Sequence, residues 1–163
     1  MIIYLMRHGI AAPCAPGESD ENRPLTDEGR ALLREQARGF WNLKPKVDQI
    51  FASPLRRARE TADLMAAGWP HRELRVEPPP ITITSSLAPP ARWEALVMQM
   101  RETTEAGALV IGHEPTMSAW VGALCFDEPG CGLFKPGTIA AIDLGDPRRL
   151  LWIMPPEMLR QIW

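Results

Sequence analysis

The chain has 163 residues, 45% of them hydrophobic and 23% charged, which suits a single domain spanning residues 1–163 and built on one buried core. Its formal net charge of −2 supplies no basic field to hold nucleic acid, and the pairs Arg56–Arg57 and Arg148–Arg149 read at first as solvated faces. No apolar run approaches the roughly 20 residues of a membrane span. The apolar stretch from Met1 is cut at Arg7, so no signal peptide is expected.

The elements follow from local patterns, taken in chain order. Ile2 to Met6 is a short apolar run bounded by Arg7-His8-Gly9 and reads as a buried strand. Ala11 to Pro24 is rich in Pro, Gly, Ser and acid and reads as a loop. Thr26 can cap a helix that Asp27 and Glu28 favour at its positive end, running to about Asn42 with Leu33, Ala37 and Phe40 on one face. Asp48 to Ala52 reads as a second strand. Ser53-Pro54 then predicts a helix start, with Ser53 as cap and Pro54 at the first helical position, and Leu55, Ala58, Ala62 and Met65 as its core stripe. The helix ends at Gly68-Trp69-Pro70.

Ile81 to Ser85 is a short candidate strand inside a proline-rich stretch, and Ala91 to Glu102 a third helix. Ala108 to Ile111 is the cleanest buried strand, followed by Gly112-His113-Glu114-Pro115 and a helix over Thr116–Leu124. Asp127 to Gly137 reads as a loop. Thr138–Leu144 and Arg149–Met154 read as strands joined at Gly145-Asp146-Pro147, an antiparallel hairpin at one side of the sheet. Strands alternating with helices predict an α/β fold of three layers with a mostly parallel central sheet.

Three segments then share one place in the architecture. Arg7-His8-Gly9, Ser53-Pro54-Leu55-Arg56-Arg57 and Gly112-His113-Glu114 each follow a strand, and in open α/β sheets ligands collect at the carboxyl ends of strands. Two histidines and two or more arginines in one crevice suit a phosphoryl group. A guanidinium fork matches phosphate oxygens bidentately. A neutral imidazole nitrogen can attack phosphorus and hold the phosphoryl group, while a second imidazole donates to its oxygens. Gly9 lets the backbone pass close to a ligand, and the helix start near Pro54 adds a positive dipole end beside Arg57. Only one of Arg56 and Arg57 can face the crevice, because successive helix residues point about 100° apart.

The stretches Leu5-Met6-Arg7-His8-Gly9, Arg23 to Gly29, Ala52 to Ala62, Val110 to Pro115 and Lys135-Pro136-Gly137 occur in this order. With them the whole chain resembles the histidine phosphatase superfamily, also called phosphoglycerate-mutase-like, and within it the small phosphohistidine phosphatases of the SixA type. The resemblance implies that His8 is the phosphate-accepting histidine, and that Arg7, Arg57 and His113 bind the phosphoryl group. It selects Arg57 over Arg56. Arg23 either lines the pocket mouth or anchors the loop.

The remaining residues carry blander readings. His71 follows Trp69-Pro70 in a turn and reads as exposed, and the six tryptophans are scattered through core and rim. Trp152 and Trp163 read as pinning the C-terminal segment. Cys14 has no basic neighbour to lower its pKa and is not read as a nucleophile. Cys14, Cys125 and Cys131 are an odd number without zinc-ligand spacing, which fits a reduced, cytoplasmic setting.

Larger members of the family carry segments that cap the pocket, and often an acidic general acid. Here 45 positions separate Gly68 from His113, which leaves little for a lid. Small members often have an acid where this chain has Ser85-Ser86-Leu87-Ala88-Pro89. The acid candidates left are Glu18, Asp20, Glu21 and Glu114, each read first as a solvated charge. Phosphohistidine expels an imidazole of pKa near ~6.5 and needs less help than an alkyl phosphate. The expected function is therefore hydrolysis of protein phosphohistidine through phospho-His8, with no metal or organic cofactor. The expected partner is a histidine-phosphorylated signalling or phosphocarrier protein, and the expected state a monomer. A small-molecule phosphomonoesterase and a non-catalytic phosphohistidine-binding module are the alternatives.

Overall fold

Side-chain alternation lets one sheet bury both faces. In β1 (Ile2–Arg7), Tyr4 and Met6 join one hydrophobic cluster while Ile3 and Leu5 join the other, as a period of two requires. β2 (Gln49–Ala52) and β4 (Gly107–Gly112) are buried at every residue, the pattern of parallel strands covered on both sides. The computed structural model describes residues 1–70, 77–128, 130 and 134–162. His71, Cys131 and Trp163 lie outside the described residues.

With β3 (Ile81–Ile83), β5 (Ile139–Asp143) and β6 (Arg149–Met154), the strands form one six-stranded sheet in the order β3-β2-β4-β1-β5-β6. The β3, β2, β4 and β1 strands are mutually parallel, and β5 and β6 close the sheet antiparallel. One face is covered by α1 (Asp27–Asn42) and α2 (Arg56–Ala67), through Leu33, Ala37, Phe40, Ala58, Ala62 and Met65. The other is covered by α3 (Trp93–Thr103) and α4 (Thr116–Cys125), through Leu96, Met100, Met117 and Val121. The expected three-layer, mostly parallel architecture with its antiparallel C-terminal hairpin is what the chain adopts.

Local chemistry sets the element ends. The Thr26 hydroxyl accepts from the Gly29 amide at 2.9 Å, a cap that contributes about 1 kcal/mol. Trp41 Nε1 donates to the Met65 carbonyl at 2.7 Å and ties α1 to α2. Trp152 packs on Tyr4, ring centroids 6.0 Å apart.

Four features depart from local expectation. The loop after β1 contains a 3-10 turn, Asp20–Asn22, capped by Ser19. β3 stops at Ile83, and Thr84 caps a second 3-10 turn, Ser85–Leu87. A short helix, α5 (Pro156–Leu159), follows β6 and docks on α1 so closely that a Cβ on Gly39 would fall on the Leu159 carbonyl oxygen. Finally, α2 starts at Arg56 with Leu55 as its cap residue, not at Pro54 with Ser53 as cap. Ser53 is fully buried, and its hydroxyl lies 2.7 Å from a histidine nitrogen while also accepting from the Leu55 amide at 3.4 Å.

Candidate active site

The register of the sheet delivers the site. Arg7 at the end of β1 stands opposite Gly112 at the end of β4, and Ala52 at the end of β2 stands opposite Ile111. His8, Ser53 and His113 therefore leave three adjacent strands at one level. The chain after β1 goes to α1 on one face, while the chain after β4 goes to α4 on the other. Diverging connections from neighbouring parallel strands open a crevice at their carboxyl ends.

Backbone bonds hold this end rigid. His8 donates its amide to the Gly112 carbonyl at 3.0 Å, and Ser53 donates to the Ile111 carbonyl at 3.0 Å. Gly137 donates to the Arg7 and His8 carbonyls at 3.1 and 3.2 Å, with φ at +88°, a conformation that favours glycine. That turn explains the Lys135-Pro136-Gly137 stretch: it clamps β1 just where the chemistry begins. Arg7 Nη1 donates to the neighbouring Phe134 carbonyl at 2.6 Å.

The crevice is a cavity of about 260 Å³ lined by Arg7, His8, Arg23, Arg57, His113 and Glu114, among others. The structure thus brings together His8, His113, Arg7, Arg57 and Arg23. Arg57 and Arg56 part company on α2: the Arg57 side chain is 6% exposed and the Arg56 side chain 54%. A larger cavity of about 420 Å³ lies beyond Ile10 and Pro136, but neither histidine nor Arg57 lines it.

Hydrogen bonds assign the His8 tautomer. Its Nδ1 is 2.7 Å from the Gly9 carbonyl, which can only accept, so Nδ1 carries the proton. Arg57 Nε donates to His8 Nε2 at 3.2 Å, so Nε2 carries the lone pair. Burial is the main force lowering the His8 pKa, to about 4; the Gly9 carbonyl opposes it, and the charges of Arg57, Arg7 and Arg23 add to it. The ring is neutral at pH 7, with a nucleophilic nitrogen on the arginine side.

His113 lies beside it, ring centroids 5.1 Å apart. Its Nε2 is 2.7 Å from Ser53 Oγ, while its Nδ1 is buried without a partner among the described residues. Burial first, then the neighbouring His8 and the arginines, lower its pKa to about 3. Arg7 Nε is likewise buried and unpartnered among the described residues. Buried polar nitrogens without partners at the wall of a cavity suit a ligand, since each one left so costs about 1–3 kcal/mol.

Gly9 plays a different part from the one its neighbours suggested. Its amide donates to Thr61 Oγ1 at 3.1 Å, and a Cβ there would meet the Leu33 side chain. The missing side chain therefore makes room for α1. Thr61 in turn donates to the Arg57 carbonyl at 2.7 Å, linking strand end to helix. Glu60 receives the Leu25 amide at 2.9 Å and pairs with Arg30 and Arg56, holding the first loop against α2. Local patterns did not single out Ser53, Glu60 or Thr61 for these roles; their presence in the quoted stretch after β2 was the available signal.

The acid candidates also separate. Asp20 accepts from Arg57 Nη2 at 3.0 Å and lies 2.8 Å from Arg23 Nε. Burial opposes its ionisation, but the hydrogen bond and charge of Arg57, with those of Arg23, hold its pKa below the usual value. Glu114 lines the cavity and accepts from Ser118 Oγ at 2.7 Å. Glu18 and Glu21 are exposed and do not line the cavity. Cys14 is exposed and donates to the Glu18 carbonyl at 3.2 Å.

A sheet of this topology, with paired histidines and arginines at the ends of β1, β2 and β4, defines a phosphoglycerate-mutase-like phosphatase. Residues 3–80 match the sequence profile of the histidine phosphatase superfamily, branch 1, and the chain belongs to that superfamily. Within it, the chain is 28% identical to the phosphohistidine phosphatase SixA of Escherichia coli K12, over 98% of this chain and 97% of that one. A solved structure of the protein histidine phosphatase SixA complexed with tungstate superposes with a TM-score of 0.80 at 26% identity, over 98% of this chain and 99% of that one. An uncharacterised protein of Picosynechococcus sp. is 34% identical over 85% of this chain and 83% of its own length.

Proposed function

We propose that the protein hydrolyses phosphohistidine on a protein substrate, through a phosphoryl group carried on His8 Nε2. The observation that carries the reading is the pair of hydrogen bonds that hold His8 neutral, with its proton on Nδ1 and its lone pair at Nε2. In the first step Nε2 attacks phosphorus, the new P–N bond forms, and the P–N bond to the substrate imidazole breaks. A substrate ring protonated at its other nitrogen departs as neutral imidazole, so no acid is needed at the leaving atom. The positive charge passes to the phosphorylated His8 ring, where the Gly9 carbonyl accepts from Nδ1–H.

In the second step water attacks phosphorus, and the His8–P bond breaks. His8 returns to the tautomer it started from, and both protons of the water leave with the inorganic phosphate and solvent. Arg7, Arg57 and His113 supply donors to the equatorial oxygens in both steps and so stabilise the charge that develops there. Neither nearby carboxylate is free: Glu114, which lines the cavity, accepts from Ser118, and Asp20 pairs with Arg57 and Arg23. That arrangement suits a good leaving group. Histidine-phosphorylated signalling or phosphocarrier proteins are the proposed partners.

The test is a panel of phosphohistidine protein, phosphoramidate, aryl phosphate and alkyl phosphate, with acid-labile phosphoenzyme trapped by rapid quench. Rapid turnover of the P–N substrates, slow turnover of alkyl phosphates and label on His8 support the proposal. Fast alkyl phosphate hydrolysis that collapses in Glu114→Gln would make the protein a small-molecule phosphomonoesterase. Tight phosphohistidine binding without turnover or label would make it a binding module.

A further inference from the structure

Each of the three Arg57 guanidinium nitrogens already donates a hydrogen bond before any substrate arrives. Nε donates to His8 Nε2 at 3.2 Å, Nη1 to the Asp20 main-chain carbonyl at 2.8 Å, and Nη2 to Asp20 Oδ2 at 3.0 Å. The other carboxylate oxygen of Asp20 lies 2.8 Å from Arg23 Nε. One carboxylate thus bridges two arginines that line the candidate cavity. A carboxylate and a phosphoryl group offer a guanidinium the same thing, a pair of anionic oxygens for its fork. The same N–H groups cannot serve both at full strength.

We propose that Asp20 is a latch, an internal carboxylate that occupies Arg57 at rest and is displaced by the incoming phosphoryl group. Its displacement then sets how tightly the site holds phosphate and its esters. The inference rests on the reading of this cavity as a phosphoryl site, and goes beyond it by naming what competes there.

The structure also says which partner moves. Arg57 is buried on α2 beside its core stripe, with its carbonyl bonded to Thr61. Asp20 has a side chain 59% exposed, on a 3-10 turn with no buried residue. Segments with little buried surface open at low cost, while a core helix does not. The turn can therefore leave without disturbing the sheet. Charge acts in the same direction, because a phosphoryl dianion beside the Asp20 carboxylate repels it.

The experiment is calorimetric titration of orthophosphate into wild type, Asp20→Ala and Asp20→Asn at fixed pH and salt, with thermal melts to confirm folding. The second variant keeps the shape of the side chain and guards against a loop that collapses in the first. Removal of an internal competitor tightens binding, a gain that a structural role or a general-acid role for Asp20 does not produce. The expected result is orthophosphate bound about fivefold or more tightly by at least one variant. Equal or weaker binding in both overturns the latch. Wild type that binds orthophosphate and turns over phosphohistidine, with no tightening in either variant, removes the latch alone. No orthophosphate binding in any of the three proteins removes the phosphoryl site with it.

Discussion

Replacing Arg57 by alanine should reduce kcat/KM on phosphoramidate by about 10²–10³, the effect of removing a donor to developing charge, about 2.7–4 kcal/mol. The structure sets the expectation at this end of the range of arginine effects. The side chain is 6% exposed and donates to the nucleophile's own nitrogen at 3.2 Å. Arg56, its neighbour in sequence, is the control. Its side chain is 54% exposed and pairs with Glu60 one helical turn on, at 2.8 Å. Such pairs contribute about 0.3–0.5 kcal/mol, so Arg56→Ala should stay within about twofold of wild type. The assay is steady-state hydrolysis of phosphoramidate by both variants, with urea melts to separate turnover from folding. Arg57→Ala also frees Asp20 and loosens the first loop, which the melts will register. A ratio between the two variants below about tenfold, or a larger loss for Arg56→Ala, would refute the assignment of the phosphate arginine.

His8→Ala should abolish turnover while the far-ultraviolet circular dichroism stays native; activity within tenfold of wild type would remove His8 as nucleophile. With the His8 pKa lowered to about 4, the ring stays neutral well below the ordinary histidine range. The rate should hold as pH falls and drop only near pH 4, and a limb at about 6.5 would contradict the buried, arginine-flanked geometry. The same depression affects stability. The unfolded chain protonates these histidines from about pH 6.5, while folded His8 and His113 do so only near 4 and 3. Their contribution is therefore present above pH 6.5 and lost as pH falls through that window. A His8→Ala/His113→Ala variant should lose less stability by urea titration between pH 6.5 and 4 than wild type does. Gly39→Ala should destabilise by about 1–3 kcal/mol despite alanine's better helix propensity, because the new Cβ meets the backbone of α5 and not a movable side chain; an unchanged melting temperature would show that α5 does not dock on α1 in solution.

The elements and the place of the chemistry were legible in the sequence for a physical reason. Apolar periodicity and capping act over a few residues, so Ile2 to Met6 declared a strand, and Thr26 before Asp27-Glu28 declared a helix start that its hydroxyl does cap. The placement of Arg-His-Gly and Gly-His-Glu after strands located His8 and His113, because parallel strands present their carboxyl ends together. The choice of Arg57 over Arg56 came from the family pattern, and the exposure of the two side chains agrees with it.

What the tertiary structure alone decided is every bond between distant segments. Ser53 does accept locally from the Leu55 amide, but its hydroxyl also meets His113, 60 positions away, because β2 and β4 are neighbours in the sheet. Gly9 suggested an approach to a ligand, yet its bare Cα accommodates Leu33 of α1. Asp20 read as a solvated loop charge, yet it meets Arg57 across 37 positions. α5 carries too short a run to announce itself, and it is held by its contact with α1. Propensity is local, whereas the partner of a buried polar group is chosen by strand order and register, which no window of a few residues contains.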